Sequence, residues 1–294
     1  MKNILITGAS GMLGATLVNN LKYKFNVYAT SNSKQLDYNI KYMRFNLKSL
    51  CFKSLLKWSK PEIIIHCGAL TDGLYCATNP DEAFSVNGES MQKIINASDK
   101  KVKIIYISTD AVFPSSLSMA NEKDQTNPES VYGKSKEMGE KLLLKSKRDY
   151  IILRTTIVGK NINSSKNGFV EWIIESVLNK QKVKLFSDVL FNPISIWSFS
   201  NEIEFLLKSD KFYNNIFHLS GIDKTTKYDF GVNLINEMNL DVNYITKSKI
   251  SEFKNRSKRS NDQTMDCSKY INLTKRTLPT LSETIKSIKT NYYV

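Results

Sequence analysis

Three groups of residues have types and spacings that can do chemistry. Gly8, Gly11 and Gly14 stand at a Gly-x-x-Gly-x-x-Gly spacing directly after the short apolar run Asn3–Thr7. Glycines there let the backbone turn tightly and bring a pyrophosphate against the N-terminus of the following helix, whose free N–H groups and dipole attract anions. The intervening Ser10, Met12 and Leu13 belong to the same candidate cofactor-binding turn. The second group is Tyr132-Gly-Lys-Ser-Lys136; four residues on a helix return to one face, so phenol and ammonium can meet one ligand. A free tyrosine titrates near pH 10, and a neighbouring cation favours its phenolate and matches it better to neutral proton transfer. Of the 14 tyrosines only Tyr132 has a lysine four positions on. The third group is Ser108-Thr109-Asp110, hydroxyls at a strand end that can hold a carbonyl while Tyr132 protonates it.

Cofactor choice is written at the end of the second strand, Tyr28-Ala-Thr-Ser31-Asn-Ser33-Lys34. An acidic residue there would bind a ribose 2′-hydroxyl and repel a 2′-phosphate. None is present, and Ser31, Ser33 and Lys34 can donate to phosphate, so NADPH is expected, with NADH the alternative.

These groups need a frame, and the chain supplies alternating strands and helices. Strands are expected at Asn3–Thr7, 25–30, 42–45, Ile63–His66, 103–108 and Tyr150–Arg154, with helices at Met12–Leu21, 50–58, 81–98 and 131–144 between them. Continuous apolar strands separated by helices imply a doubly wound parallel sheet covered on both faces, an α/β Rossmann fold with ligands at the carboxyl ends of its strands. Beyond Gly159 helices are expected at Phe169–Leu178, 198–207 and 228–238 and a strand at 216–220. The expected division is a dinucleotide-binding domain over 1–158, to which 190–220 returns, and a smaller interleaved substrate lobe made of 159–189 and 221–294. Trp58, Trp172 and Trp197 read as packing residues, with Phe169 or Trp172 as candidates to stack on a base.

Composition narrows the class. The chain has 294 residues, long enough to bury a core without a disulfide or metal staple. Four scattered cysteines, no Cys-x-x-Cys pair and two histidines leave no metal site expected, and reduced thiols suit a cytoplasmic protein. No apolar run approaches the ~20 residues of a membrane helix. The net charge of +14 invites a nucleic-acid reading, but the lysines are spread along the chain and no recognition motif accompanies them. The densest basic stretch, 247–259, is interleaved with Ser, Asn and Glu and reads as a solvated face.

Taken together, the glycine spacing, Tyr132-x-x-x-Lys136 and the hydroxyl pair before it resemble the extended short-chain dehydrogenase/reductases, and within them the dTDP-4-dehydrorhamnose reductases and their sugar-nucleotide relatives. The resemblance rests further on Ile105-Tyr-Ile-Ser-Thr-Asp-Ala-Val-Phe113, Val131-Tyr-Gly-Lys-Ser-Lys-Glu-Met-Gly-Glu140, Ile152-Leu-Arg-Thr-Thr156, Asn79-Pro-Asp-Glu-Ala-Phe-Ser-Val-Asn87, Asn192-Pro193-Ile194 and Phe217-His-Leu-Ser220. It implies that Tyr132 is the proton donor, that Lys136 lowers its pKa and binds the nicotinamide ribose, and that Thr109 hydrogen-bonds the carbonyl. It places Ala69, Thr71 and Ser108 along the cofactor, Asn46 near the adenine, and Asp110, Ile157 and Arg259 on the substrate side, Arg259 near the diphosphate. The implied activity is NADPH-dependent reduction of a nucleotide-activated 4-keto-6-deoxy sugar for cell-surface polysaccharide. The implied partner is that small substrate, with neither nucleic acid nor membrane, and a homodimer is compatible.

The chain departs from the family at Asn46, where an Asp is usual, at 72–77, which lacks charge, and at Ile157 and Ser260, where an aromatic and a proline are usual. Ala111 after the Thr-Asp pair argues against a dehydratase, which places an acid there. An epimerase of this fold uses a Cys and a His, and Ser108-Thr109 has neither nearby in sequence; His66 and His218 read as buried strand residues. The alternatives kept are a non-catalytic nucleotide-binding regulatory subunit, which has no need of Tyr132, Lys136 and Thr109 together, and a sugar-nucleotide epimerase.

Overall fold

The computed structural model describes residues 1–33, 39–162, 167–253 and 261–293. Its first half runs β1 (Asn3–Thr7), α1 (Met12–Leu21), β2 (Asn26–Ser31), β3 (Lys41–Arg44), α2 (Phe52–Ser59), β4 (Ile63–His66), α3 (Gly73–Thr78), α4 (Pro80–Phe84), α5 (Ser90–Ala97), β5 (Lys103–Ile107), α6 (Val131–Lys145) and β6 (Tyr150–Arg154). Among the described residues the main sheet has seven strands, all parallel: these six and β11 (Asn215–His218), in the order β11-β6-β5-β4-β1-β2-β3. The chain winds outward from β1 in one direction and from β4 in the other, so a crevice opens between their carboxyl ends.

Why the strands lack alternation is visible in β1. Ile4 and Ile6 point into one core layer with Leu17 and Leu21 of α1, while Leu5 points into the opposite layer with Phe52 and Leu55 of α2. With both faces covered every position is apolar, and each buried Ile or Leu contributes roughly 1.5–3 kcal/mol.

The second half runs β7 (Ile157–Val158), α7 (Phe169–Leu178), β8 (Val183–Phe186), β9 (Leu190–Phe191), β10 (Ile194–Ser195), α8 (Ile196–Leu207), β11, β12 (Thr225–Thr226), α9 (Lys227–Glu237), β13 (Ile245–Ser248), β14 (Asp262–Gln263), α10 (Ser268–Thr274) and α11 (Leu281–Tyr292). Segment 190–220 sends α8 onto α1, where Asn20 Nδ2 donates to Ser200 Oγ at 3.0 Å and Lys24 pairs with Glu204 at 2.6 Å. Other elements of the second half, with Phe191 of β9, gather round a separate core of Ile173, Ile174, Phe230 and Ile288, with β8 paired to β13 and β12-β9-β14 forming a small sheet, while α10 returns to the main core through Tyr270 against Phe217.

Two expectations are corrected. The helix expected over 81–98 is interrupted by a π-helical turn at Ser85–Glu89 that separates α4 from α5. Trp172 is 43% exposed, because α7 turns it away from the core that Ile173 and Ile174 fill. Trp58 and Trp197 do pack, Trp58 edge-on against Tyr28. No helix among the described residues is long and apolar enough to cross a membrane.

Candidate active site

The glycine turn divides its work among three positions. Gly8 has φ +68°, and a Cβ on it would lie 2.5 Å from Gly68 Cα; a Cβ on Gly14 would lie 2.2 Å from Gly8 O. Those two glycines are demanded by the packing of β1 against the loop after β4 and of α1 against the turn. Gly11 is different, since its Cβ would come no closer than 3.3 Å to Gly8 O. It is the N-cap of α1 and makes no side-chain cap, so the first N–H groups of the ten-residue helix meet the cleft without a carboxylate or hydroxyl of their own.

Beside this turn, Ser10 Oγ lies 2.8 Å from Ser33 Oγ and Ser31 Oγ 2.8 Å from Tyr42 OH. Arg44 Nε donates to Asn32 O at 2.9 Å, bringing to this loop a cation that the sequence reading passed over because it stands on the next strand. Asn46 Oδ1 accepts from Lys48 N at 2.9 Å. Ala69 and Thr71 flank Leu70, whose N–H donates to Asn87 Oδ1 at 2.7 Å and whose carbonyl accepts from Asn87 Nδ2 at 2.9 Å. Asn87 also donates to Ser135 Oγ at 2.9 Å, so the π-helical turn ties the loop after β4 to α6.

α6 begins under the Ser130 cap, whose Oγ accepts from Gly133 N at 3.0 Å. A Cβ on Gly133 would lie 2.2 Å from Ala111 O, so this glycine lets the helix start against the segment that follows β5. Tyr132, Lys136 and Glu140 then stand at successive turns on one side of the helix. Lys136 is 2% exposed, and burial pushes its pKa down to about 7 against the opposing pull of Glu140 and Cys67. Glu140 is itself occupied: its Oε2 pairs with Arg154 NH2 at 2.7 Å and its Oε1 accepts from the Ser108 hydroxyl. Ser108 therefore turns its proton toward Glu140. Thr109 Oγ1 donates to Asp110 Oδ1 at 2.7 Å, and Thr156 Oγ1 to Asp110 Oδ2 at 2.7 Å, so Thr109 must swing from Asp110 to serve a carbonyl.

The histidines are buried, as expected. His66 meets Thr7 Oγ1 at 2.7 Å and Ser90 Oγ at 3.0 Å, and burial with the Lys136 charge pushes its pKa down to about 3. Burial with Arg154 pushes His218 to about 3 as well. One exclusion needs correction: although no Cys or His neighbours Ser108-Thr109 in sequence, β4 carries His66 and Cys67 to within electrostatic reach of Lys136, and Cys67 lines the cleft. Burial pushes the Cys67 thiol up to about 12, so neither group titrates near neutrality.

The glycine turn, the loop after β4, the end of β5 and the start of α6 surround one cleft of about 850 Å³. Every expected site residue among the described ones lines it, Met12, Leu13 and Ile157 included; Lys34 and Arg259 lie outside the described residues. From the second half of the chain Asn161, Phe169, Lys227 and Gln263 close the other side. Of the two candidates to stack on a base, Phe169 lines the cleft and Trp172 does not; Lys227 is unforeseen, and nothing in Thr226-Lys227-Tyr228 marks it. Among the described residues no three His, Cys, Asp or Glu side chains gather to hold a metal ion.

The chain is 25% identical to the spore coat polysaccharide biosynthesis protein SpsK of Bacillus subtilis, over 82% of this chain and 81% of that one. It is 30% identical to a dTDP-4-dehydrorhamnose reductase of Aggregatibacter actinomycetemcomitans, over 81% of this chain and 79% of that one. It is also 26% identical to the methionine adenosyltransferase 2 subunit beta of Mus musculus, over 92% of this chain and 82% of that one. A crystal structure of dTDP-4-dehydrorhamnose reductase from Bacillus anthracis in complex with NADP superposes with TM-score 0.86 at 24% identity, covering 98% of this chain and 99% of that one. The profile of the RmlD substrate binding domain matches residues 1–294, and the chain belongs to that family, with dTDP-4-dehydrorhamnose reductases and related sugar-nucleotide reductases as its relatives.

Proposed function

We propose that the protein is an NAD(P)-dependent oxidoreductase that uses NADPH to reduce the keto group of a nucleotide-activated 4-keto-6-deoxy sugar, in the manner of dTDP-4-dehydrorhamnose reductase, for cell-surface polysaccharide. The observation that carries it is the convergence of Tyr132, Lys136 and Thr109 on the same cleft as the glycine turn. The kinship with a dTDP-4-dehydrorhamnose reductase and with a polysaccharide biosynthesis protein supports the substrate class and its destination, and the NADP complex of the superposed reductase supports the cofactor.

In this reading residues 1–158 with 190–220 hold the cofactor, and 159–189 with 221–294 hold the sugar nucleotide. The residues fit a dinucleotide: the uncapped N-terminus of α1 beside Gly11 suits a pyrophosphate, Ser10, Met12, Leu13 and Asn46 line its path, and Ser31 and Ser33 supply donors where a 2′-phosphate would be met, on a loop that Arg44 braces through Asn32 O. A bound nicotinamide supplies the hydride. Tyr132 donates the proton to the carbonyl oxygen as it gains charge, Lys136 stabilises the phenolate left behind, and Thr109 orients the carbonyl. Ala69, Thr71 and Ser108 wall the nicotinamide side and Asp110 and Ile157 the substrate side, and the family resemblance would give the diphosphate to Arg259.

The test is NADPH consumption across dTDP-, UDP- and GDP-linked 4-keto sugars, with NADH as the competing cofactor. Turnover of at least one, lost in Tyr132→Phe, is expected. Silence on every sugar would turn the reading to a nucleotide-binding subunit, which the kinship with an adenosyltransferase subunit favours and the intact Tyr132, Lys136 and Thr109 oppose.

A further inference from the structure

Lys136 is 2% exposed and has no ion pair of its own: it belongs to none of the salt bridges among the described residues. What lies beneath it is an aromatic face. The Lys136 ammonium sits 4.0 Å from the centroid of the Tyr106 ring, and Tyr106 is fully buried. The same ring is stacked with His66, its register partner on β4, at 5.7 Å and 17°. Three features hold the ring in place. Its hydroxyl donates to Asn87 O at 2.9 Å, the absent side chain of Gly139 makes room for it, since a Cβ there would lie 2.3 Å from Tyr106 Oη, and β5 is paired on both edges.

We propose that Tyr106 is a positioning residue for Lys136, its ring face holding the ammonium charged one helical turn from Tyr132. A cation over an aromatic face gains most where it is removed from solvent, and the Lys136 side chain is nearly buried. His66, hydrogen-bonded to Thr7 and Ser90 and kept neutral, stacks with the ring without adding a repelling charge. Acting on Lys136 are Glu140 on its own helix, whose pull also favours the charge but is shared with Arg154 and Ser108, His66 of β4 with Cys67 just after it, and Tyr106 of β5, while Tyr132 stands one turn earlier on the same helix. The ring thus supports the charge that burial opposes. The catalytic consequence rests on Tyr132 and Lys136 acting as proposed above, but the placement does not.

The experiment is a titration of Lys136 in the cofactor-free full-length protein, by NMR of lysine labelled with ¹³C at Cε, with Lys136→Arg to assign the signal. The midpoint is expected near 7 in the parent chain. Tyr106→Phe keeps the face and should leave it in place. Mono-, di- and trifluorinated phenylalanine at the same position keep the shape but drain the face, and should lower the midpoint in steps, by up to about one pH unit in all. Tyr106→Leu, if it folds, should match the trifluorinated chain. In turnover, the alkaline limb of kcat should move down by the same steps while KM for the sugar nucleotide stays. A midpoint unmoved by fluorination, or moved as far by phenylalanine alone, would overturn the proposal, the second outcome by assigning the effect to the hydroxyl. Because the titration needs no substrate, a protein silent toward every sugar nucleotide would sink the proposed reaction and leave this result standing.

Discussion

Gly8, Gly11 and Gly14 look equivalent in sequence and are not equivalent in space. Alanine at Gly8 meets Gly68 backbone at 2.5 Å and a positive φ, and at Gly14 it meets Gly8 O at 2.2 Å, so both variants should lose thermal stability or fail to fold. Gly11→Ala meets nothing closer than 3.3 Å, so its melting temperature should stay near that of the parent. Its NADPH affinity should nevertheless fall by about tenfold or more, read by calorimetry, because a methyl group stands where the pyrophosphate would approach. Equal melting losses in all three variants would show that Gly11 serves the fold instead. Tyr132→Phe should cut turnover by about a hundredfold or more while leaving NADPH affinity unchanged, since only the proton is removed. Near-parental turnover would assign the proton to another group.

At the level of elements, the π-helical turn between α4 and α5 is the feature that periodicity could not announce. Apolar spacing over 81–98 suits an unbroken helix, and the widened turn exists because Asn87 is drawn into bonds with Leu70 on one side and Ser135 on the other. Asn87→Ala leaves the Leu70 N–H and carbonyl without these partners and should cost about 1–3 kcal/mol in a denaturant titration. Because the same loop carries Ala69 and Thr71, NADPH affinity should fall with it; a stability loss with unchanged affinity would confine Asn87 to the fold. The Glu140–Arg154 pair, both partners under 5% exposed, is the other buried polar link. Glu140→Gln strands the arginine and should cost about 3–5 kcal/mol, measured as a lowered urea midpoint.

For the whole molecule, the buried titratable groups set a pH dependence. His66 and His218 are held neutral with pKa values near 3, whereas in the unfolded chain each takes up a proton near 6.5. Between those values the unfolded state binds more protons, so stability is full above 6.5 and is lost as pH falls toward 3. Urea unfolding at pH 5 should show up to about 2 kcal/mol less stability per histidine than at pH 7, and a flat response would mean that the folded histidines are protonated. Lys136, lowered to about 7 from 10.5, acts in the same sense above neutrality, where stability should rise with pH. Sequence alone determined the parallel sheet, the bounds of β1, α1, β4, β6 and α7, and the glycine, tyrosine and lysine motifs, because a strand buried on both faces and a tyrosine and lysine one helical turn apart are local patterns. Tertiary structure alone decided which hydroxyls keep their protons for the cleft, that Cys67, His66 and Lys227 approach it, and that Tyr106 lies under Lys136. Those facts come from pairing β4 with β5 and closing the second half of the chain over the sheet, contacts between residues too far apart in sequence for spacing to record them.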